Sequence, residues 1–118
     1  MITILPADKA FLESIHAPAG VEAMVLRDAA GTVDGYALFR MEGDAVEVLN
    51  VETDEPLMKD GLVRSVLNAG DVRGAVTGIC RAEELAPILQ RLEFVRKDGV
   101  WSLSIEAFFR AGCSSDRP

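Results

Sequence analysis

The sequence predicts an α+β domain built on a mixed, twisted sheet of six or seven strands with about three helices. Three short segments of alternating apolar residues are joined by tight turns, which is typical of an antiparallel meander. After Val51 the apolar period changes from two residues to 3.6, which indicates an amphipathic helix. An apolar strand, a second helix and an Asp98-Gly99 hairpin follow, so one pair of strands is expected to run parallel through a helical crossover.

The composition excludes several classes of protein. The chain has 118 residues, of which 49% are hydrophobic, so one domain with its own hydrophobic core is expected. No apolar run approaches the length of about 18 residues that a transmembrane helix needs, and the N-terminus lacks the basic and apolar regions of a signal peptide. The net charge of −7 disfavours nonspecific binding to nucleic acid. Cys80 and Cys113 match no metal spacing and fit a reduced, cytoplasmic protein.

The N-terminal half is predicted to contain four strands and one short helix. The predicted strands are Ile2–Leu5, Ala23–Arg27, Val33–Met41 and Val46–Val51, and the predicted helix is Lys9–His16. Asp8 is placed to cap this helix, because a side-chain oxygen there can accept a hydrogen bond from a first-turn N–H group. Gly35 lies inside the third strand and indicates a bulge or a close backbone approach.

The segment from Val46 to Gly74 is the most informative part of the sequence. Its strand leads into a helix that begins at Pro56, with Thr53 or Asp54 as the cap. The turn between them carries three acidic residues, Glu52, Asp54 and Glu55. A strand that leads into a helix in this way directs unpaired N–H groups at one point, which suits an anion such as a phosphate. The acidic side chains oppose an anion, and they are also explained as favourable charges at the positive end of a helix.

The C-terminal half completes the sheet. Ala75–Cys80 is predicted to be a buried strand parallel to the fourth strand. Glu83–Leu92 is predicted to be a helix, in which Pro87 is tolerated only within the first turn. The hairpin from Phe94 is expected to end in a strand with apolar positions at Trp101, Leu103 and Ile105. We expect a single domain over residues 1–110 and a disordered tail over residues 111–118.

Three stretches of the chain match one pattern of elements. They are Gly35-Tyr36-Ala37-Leu38 on the third strand, the unit Val48–Gly74, and the ending Ile88-Leu89-Gln90-Arg91-Leu92-Glu93-Phe94. With the order of elements over about residues 1–109, they resemble the GNAT superfamily of N-acetyltransferases, whose "FYEKLGF" pattern is similar to the third stretch. The resemblance implies a three-layer α/β/α arrangement and acetyl transfer from acetyl-CoA to a primary amine, with no metal. A homodimer is also expected from the family.

The resemblance also implies where acetyl-CoA would bind. In this family the pantetheine arm lies along the fourth strand, so Asn50 and Val51 would contact it and their N–H groups would polarise the thioester. The family's phosphate loop, Arg/Gln-x-x-Gly-x-Gly/Ala, starts here at Pro56, and only its last position, Gly61, matches. The implied phosphate contacts are Lys59, Asp60, Gly61 and Leu62. Glu47 is either a general base for the amine or an exposed strand residue.

A second hypothesis follows from the departures from this family. The family's tyrosine that protonates the departing thiolate corresponds to Leu89, which has no proton to donate. One short helix within residues 8–20 replaces the two N-terminal helices that usually form the amine-binding side. With the acidic turn, these departures favour a GNAT-derived domain that has lost CoA binding and acts as a protein- or small-ligand-binding module. The two hypotheses differ in whether acetyl-CoA binds.

Overall fold

A seven-stranded mixed sheet organises the chain, which the computed structural model describes for residues 2–115, with side chains for residues 2–110. The strands are β1 (Thr3–Pro6), β2 (Glu22–Arg27), β3 (Val33–Glu42), β4 (Ala45–Thr53), β5 (Thr77–Cys80), β6 (Val95–Lys97) and β7 (Val100–Ser104). The helices are α1 (Lys9–Ser14), α2 (Pro56–Val72), α3 (Ala86–Arg91) and α4 (Ile105–Ser115). The strand order is β1-β2-β3-β4-β5-β7-β6, and only β4 and β5 pair in parallel. The predicted α+β fold and parallel pair are confirmed.

Helices cover both faces of this sheet. Phe11 of α1 packs edge-on against Tyr36 of β3, with ring centroids 5.5 Å apart. Arg73, just after α2, lies over the ring of Phe39. Because side chains at positions 36 and 39 of one strand point to opposite faces, α1 and α2 lie on opposite sides of the sheet. The three-layer arrangement follows from these contacts.

Helix α2 lies very close to the sheet at Gly70. A Cβ atom on Gly70 would lie 2.5 Å from Cγ1 of Val46. Leu62, Val63, Val66 and Leu67 of the same helix are completely buried. Leu57, in the first turn of the helix, is 75% exposed although it is apolar.

A carboxylate–guanidinium pair fixes the C-terminal end of α2. Arg73 donates two hydrogen bonds to Glu22 of β2, with nitrogen–oxygen distances of 2.5 and 2.6 Å. These bonds hold the pKa of Glu22 below its ordinary value, against a smaller opposing effect of desolvation. The pair joins the segment after α2 to the second strand.

Local signals in the sequence place several elements correctly. Oδ1 of Asp8 accepts a hydrogen bond from the N–H of Phe11, as expected for a cap. Pro87 lies in the first turn of α3, after a 3-10 turn over Glu83–Leu85. Asp98 and Gly99 both have positive φ angles, which a two-residue hairpin turn of this kind requires.

The C-terminal end of the domain differs from the prediction. Ile105 was expected in the last strand, but it begins the helix α4, which the sequence did not predict. Ile105 is almost completely buried, so both a strand and an amphipathic helix explain its apolar side chain. The predicted tail overlaps this helix over residues 111–115, and residues 116–118 lie outside the described part of the chain.

Candidate functional site

The parallel strands β4 and β5 separate at one end. Their pairing runs from Ala45 opposite Thr77 to Val48 opposite Cys80. Strand β5 ends at Cys80, whereas β4 continues to Thr53. The segment Leu49–Thr53 therefore has β3 on one side and no strand on the other. We call this open edge the splay, and it lies at the end of β4 that leads into α2.

A β-bulge marks the start of the splay. Phe39 of β3 lies opposite Val48, and Leu38 lies opposite Asn50, so Leu49 is an extra residue in β4. A bulge bends its strand and increases the local twist, which separates β4 from β5 at this point. Beyond the bulge, alternate residues of an antiparallel strand direct their N–H and C=O groups away from the partner. Along the splay such groups face an open edge, where an extended ligand with amide groups can pair with them.

Two of the residues that the resemblance implied lie in this splay. Asn50 is half-buried, and its side-chain amide donates a hydrogen bond of 3.2 Å to Glu52. Val51 is buried through its side chain. Both residues lie along the open edge, and because N–H directions alternate along a strand, one of the two directs its N–H group away from β3.

A close contact between β3 and β4 supports the end of the splay. A Cβ atom on Gly35 would lie 2.6 Å from Cβ of Thr53, which confirms the expected close approach. Asp34 is an extra residue between the pairs Leu26–Gly35 and Arg27–Val33. The hydroxyl of Thr53 donates a hydrogen bond to the carbonyl oxygen of Asp34. These contacts fix the point at which β4 turns into α2.

The start of α2 offers little to an anion. The cap is Glu55, whose side chain makes no capping bond, so neither Thr53 nor Asp54 occupies the position predicted for them. The Glu55 N–H bonds to the hydroxyl oxygen of Thr53, and the Met58 N–H bonds to the carbonyl oxygen of Glu55. Pro56 has no N–H group. Within residues 2–115, the amide of Leu57 is therefore the one first-turn amide without a partner.

The four residues implied as phosphate contacts lie at or beyond the end of this first turn. Because the helix begins at Pro56, their N–H groups point to carbonyl oxygens four residues earlier. Asp60 accepts a hydrogen bond of 3.0 Å from Arg64. A Cβ atom on Gly61 would lie 3.5 Å from Ile4 of β1, so this glycine faces the sheet. Leu62 is completely buried, and Lys59 is half-buried on the same turn.

Glu47 lies on β4 just before the splay and is only 3% exposed, so the expectation of an exposed strand residue is wrong. Its Oε1 atom accepts hydrogen bonds of 3.2 and 3.0 Å from Arg40, and its Oε2 atom lies 2.9 Å from Nη1 of Arg81. Both carboxylate oxygens are thus engaged with guanidinium groups. This geometry does not favour the predicted role of general base, because neither oxygen is directed at an incoming amine.

Two further residues considered from the sequence, Leu89 and Cys80, are buried. Leu89 is completely buried, so it fills the core. Burial raises the pKa of the Cys80 thiol above its ordinary value. Cys80 is therefore a buried apolar residue at the end of β5, as expected, and it lacks the thiolate character of a nucleophile.

A separate groove of about 650 Å³ lies between α2, β7 and α4. It is lined by Arg64, Arg91, Ser102, Leu103 and Phe108, among others. None of the residues implied by the resemblance lies in this groove. Among the side chains of residues 2–110, no group of three or more His, Cys, Asp or Glu residues could hold a metal ion. No helix within residues 2–115 is long and apolar enough to cross a membrane.

Solved structures of other proteins share this architecture. Solved structures with the same arrangement include a GNAT-family acetyltransferase of Staphylococcus aureus, which has 10% identity and a TM-score of 0.70, with 89% of this chain and 99% of that chain covered. This is the GNAT fold. The ribosomal-protein alanine N-acetyltransferase of Escherichia coli has 16% identity and a TM-score of 0.67, covering 89% of this chain and 94% of its own. Mutant forms of the spermidine/spermine N-acetyltransferase of Vibrio cholerae have 9% identity and a TM-score of 0.73, with 94% of this chain and 98% of that chain covered.

Sequence comparison adds nothing to this structural likeness. No protein-family model matches the chain, and no curated protein matches it. The identities to the solved structures are low, so they establish the fold alone. Whether a GNAT fold binds acetyl-CoA depends on the residues of this chain.

Those residues fit one part of acetyl-CoA and not the other. The open backbone edge after the Leu49 bulge suits the amide-containing pantetheine arm. The start of α2 does not suit the pyrophosphate, because a single free amide stands beside Glu52, Asp54 and Glu55. Sequence reasoning missed the bulge and both arginine partners of Glu47. The bulge has no glycine to signal it, and the arginines are distant in sequence from Glu47 or outside its strand, Arg40 on β3 and Arg81 directly after β5.

Proposed function

We propose that this domain is an N-acyltransferase that holds an acyl thioester in the splay and transfers the acyl group to a primary amine. The observation that carries the proposal is the end of β4–β5 pairing at Val48 and Cys80, directly before the bulge at Leu49. The GNAT fold shared with solved acetyltransferases supports it.

The reaction would be direct attack of the amine on the thioester. The amine first loses the proton of its ammonium form to solvent water. Its nitrogen then forms a bond to the carbonyl carbon, the carbon–sulfur bond breaks, and a second proton of the amine ends on the thiol. The proposed donor to the carbonyl oxygen is the backbone N–H group within Asn50–Val51 that is directed away from β3. Residues 2–110 place no thiolate at the splay, since the Cys80 thiol is buried with a raised pKa, and this favours direct transfer over an acyl-enzyme.

We propose a cationic amine as the acceptor. Three acidic residues, Glu52, Asp54 and Glu55, lie at the end of the splay and in the turn before the helix, and all three are exposed. A cluster of one sign of charge raises the local concentration of an oppositely charged substrate. The chain as a whole also carries a net charge of −7, which acts in the same direction.

A second function is favoured by the lack of free N–H groups in the first turn of α2. A GNAT-derived domain that no longer binds CoA would have no use for free amides there, and only that of Leu57 is free. The buried Leu89 is consistent with this function too, because it cannot protonate a thiolate. Such a domain would bind a protein or small ligand and would transfer no acyl group.

Thermal melting with and without acetyl-CoA separates the two functions. A ligand present at about 100 times its Kd stabilises the folded state by roughly 2.7 kcal/mol. For a domain of this size we expect Tm to rise by several degrees. An unchanged Tm at millimolar acetyl-CoA would remove the acyltransferase proposal and leave the binding module.

A further inference from the structure

The chemistry of the acyl donor can be narrowed further, on the basis of the acyltransferase function proposed above. The splay and the start of α2 are adjacent, but they offer different things to a ligand. The splay offers neutral backbone groups along Leu49–Thr53. The helix start offers the single amide of Leu57, in a turn that is strongly acidic.

The missing amides cannot be recovered by a small adjustment. The hydroxyl of Thr53 both accepts from the Glu55 N–H, at 3.2 Å, and donates to Asp34, at 3.0 Å. Thr53 is in turn fixed by its close contact with Gly35, because a Cβ atom added to Gly35 would lie only 2.6 Å from Cβ of Thr53. The turn is therefore held from β3, and Pro56 removes one donor by its covalent structure.

The charges around the helix start oppose a nucleotide. Between Glu52 and Asp60 the chain has four acidic residues and one lysine. Glu52, Asp54 and Glu55 are exposed, and Asp60 is paired with Arg64. The next basic residue, Arg64, also lies over the ring of Phe108, on the side of α4. A pyrophosphate at this point would face uncompensated carboxylates.

The glycine that matches the family's phosphate loop has no N–H group to spare. A Cβ atom on Gly61 would lie 3.5 Å from Ile4 of β1, which is an ordinary contact, so this position faces the sheet and has room for a larger residue. The N–H group of Gly61 is directed at the carbonyl oxygen of Leu57 within the helix. Gly61 therefore offers no free donor to a phosphate oxygen.

We propose that this domain recognises its donor through the pantetheine arm and acyl group alone, and that the nucleotide contributes no affinity. The substrate class is then acyl-pantetheine thioesters in general, with acyl-CoA as one member. This is a different specificity from that of a site that grips the pyrophosphate, because the nucleotide would extend into solvent past the acidic turn.

Calorimetric titration of the full chain with acetyl-CoA and with S-acetyl-pantetheine tests this. We expect acetyl-CoA to bind no more tightly than S-acetyl-pantetheine, and up to several-fold more weakly at low salt because of the repulsion, whereas a grip on the nucleotide would make acetyl-CoA more than about tenfold tighter. Raising the salt from about 0.05 M to about 0.5 M should tighten acetyl-CoA and leave the uncharged S-acetyl-pantetheine unchanged, because salt screens the repulsion.

A charge variant and its matched control sharpen the test. Asp54→Asn with Glu55→Gln should tighten acetyl-CoA several-fold and leave S-acetyl-pantetheine unchanged. Asp44→Asn with Asp71→Asn removes the same charge at the opposite ends of β4 and α2, and should affect neither ligand by more than a small factor. If acetyl-CoA binds at least tenfold more tightly than S-acetyl-pantetheine, or is weakened by salt, the inference is wrong. If neither ligand binds, the acyltransferase proposal itself fails.

Discussion

Replacement of both Arg40 and Arg81 by methionine is expected to destabilise the domain by about 3–5 kcal/mol, because it leaves the buried charge of Glu47 without a partner. The carboxylate is 4% exposed and receives guanidinium groups on both oxygens. Methionine keeps most of the aliphatic volume of arginine, so the change removes mainly the charge and the hydrogen bonds. Urea unfolding followed by circular dichroism measures the loss.

Removal of the Glu47 carboxylate while both arginines remain should destabilise the domain much less. The side chains of Arg40 and Arg81 are 47% and 51% exposed, so both can reach water when the carboxylate is gone. The triple variant with Glu47→Leu should recover most of the stability that the arginine double variant loses, since a buried ion pair is often replaceable by apolar residues. If the triple variant is as unstable as the double variant, the arginines stabilise the sheet by packing and not by pairing with Glu47.

Gly70→Ala is expected to destabilise the domain by about 1–3 kcal/mol, the usual range for overpacking in a core. The new methyl group would lie 2.5 Å from Cγ1 and 2.8 Å from Cβ of Val46. Alanine is about 1 kcal/mol better than glycine inside a helix, so this clash must outweigh a favourable change. The double variant with Val46→Ala should lose less than the sum of the single losses, which a double-mutant cycle in urea measures.

Gly61→Ala is the matched control, because it lies on the same helix with room for a Cβ atom. It should stabilise the domain by about 0.5–1 kcal/mol through helix propensity. Equal destabilisation by both substitutions would show that α2 does not lie against the sheet as described.

The fold was largely predictable because local rules place most of its elements. The alternation in the first strands, the change of period after Val51 and the Asp98-Gly99 turn each determine one element. The helix α4 was missed because Trp101, Leu103 and Ile105 alternate as in a strand, while the chain changes to a helix at Ile105. That change depends on packing, which a local pattern does not contain.

The site was predictable only in part. The resemblance directed attention to Asn50 and Val51, and the structure places both at the splay. The expectation that Glu47 is exposed was wrong, since its burial depends on Arg40 of β3 and on Arg81 after β5. Its partners are distant in sequence, and a strand position alone does not distinguish a buried ion pair from an exposed charge. The insertion of Leu49 depends on the register between two strands, which no single residue determines.

The central claim is that the open edge of β4, and not the start of α2, receives the donor. Titration of isotope-labelled protein with acetyl-CoA, followed by the chemical shifts of its backbone amides, tests this directly. The claim predicts that the largest shift changes fall on Leu49–Thr53 and on the end of β5 at Cys80, with small changes over Leu57–Leu62. Saturable changes centred on Leu57–Leu62, or none at either place at millimolar acetyl-CoA, would contradict it.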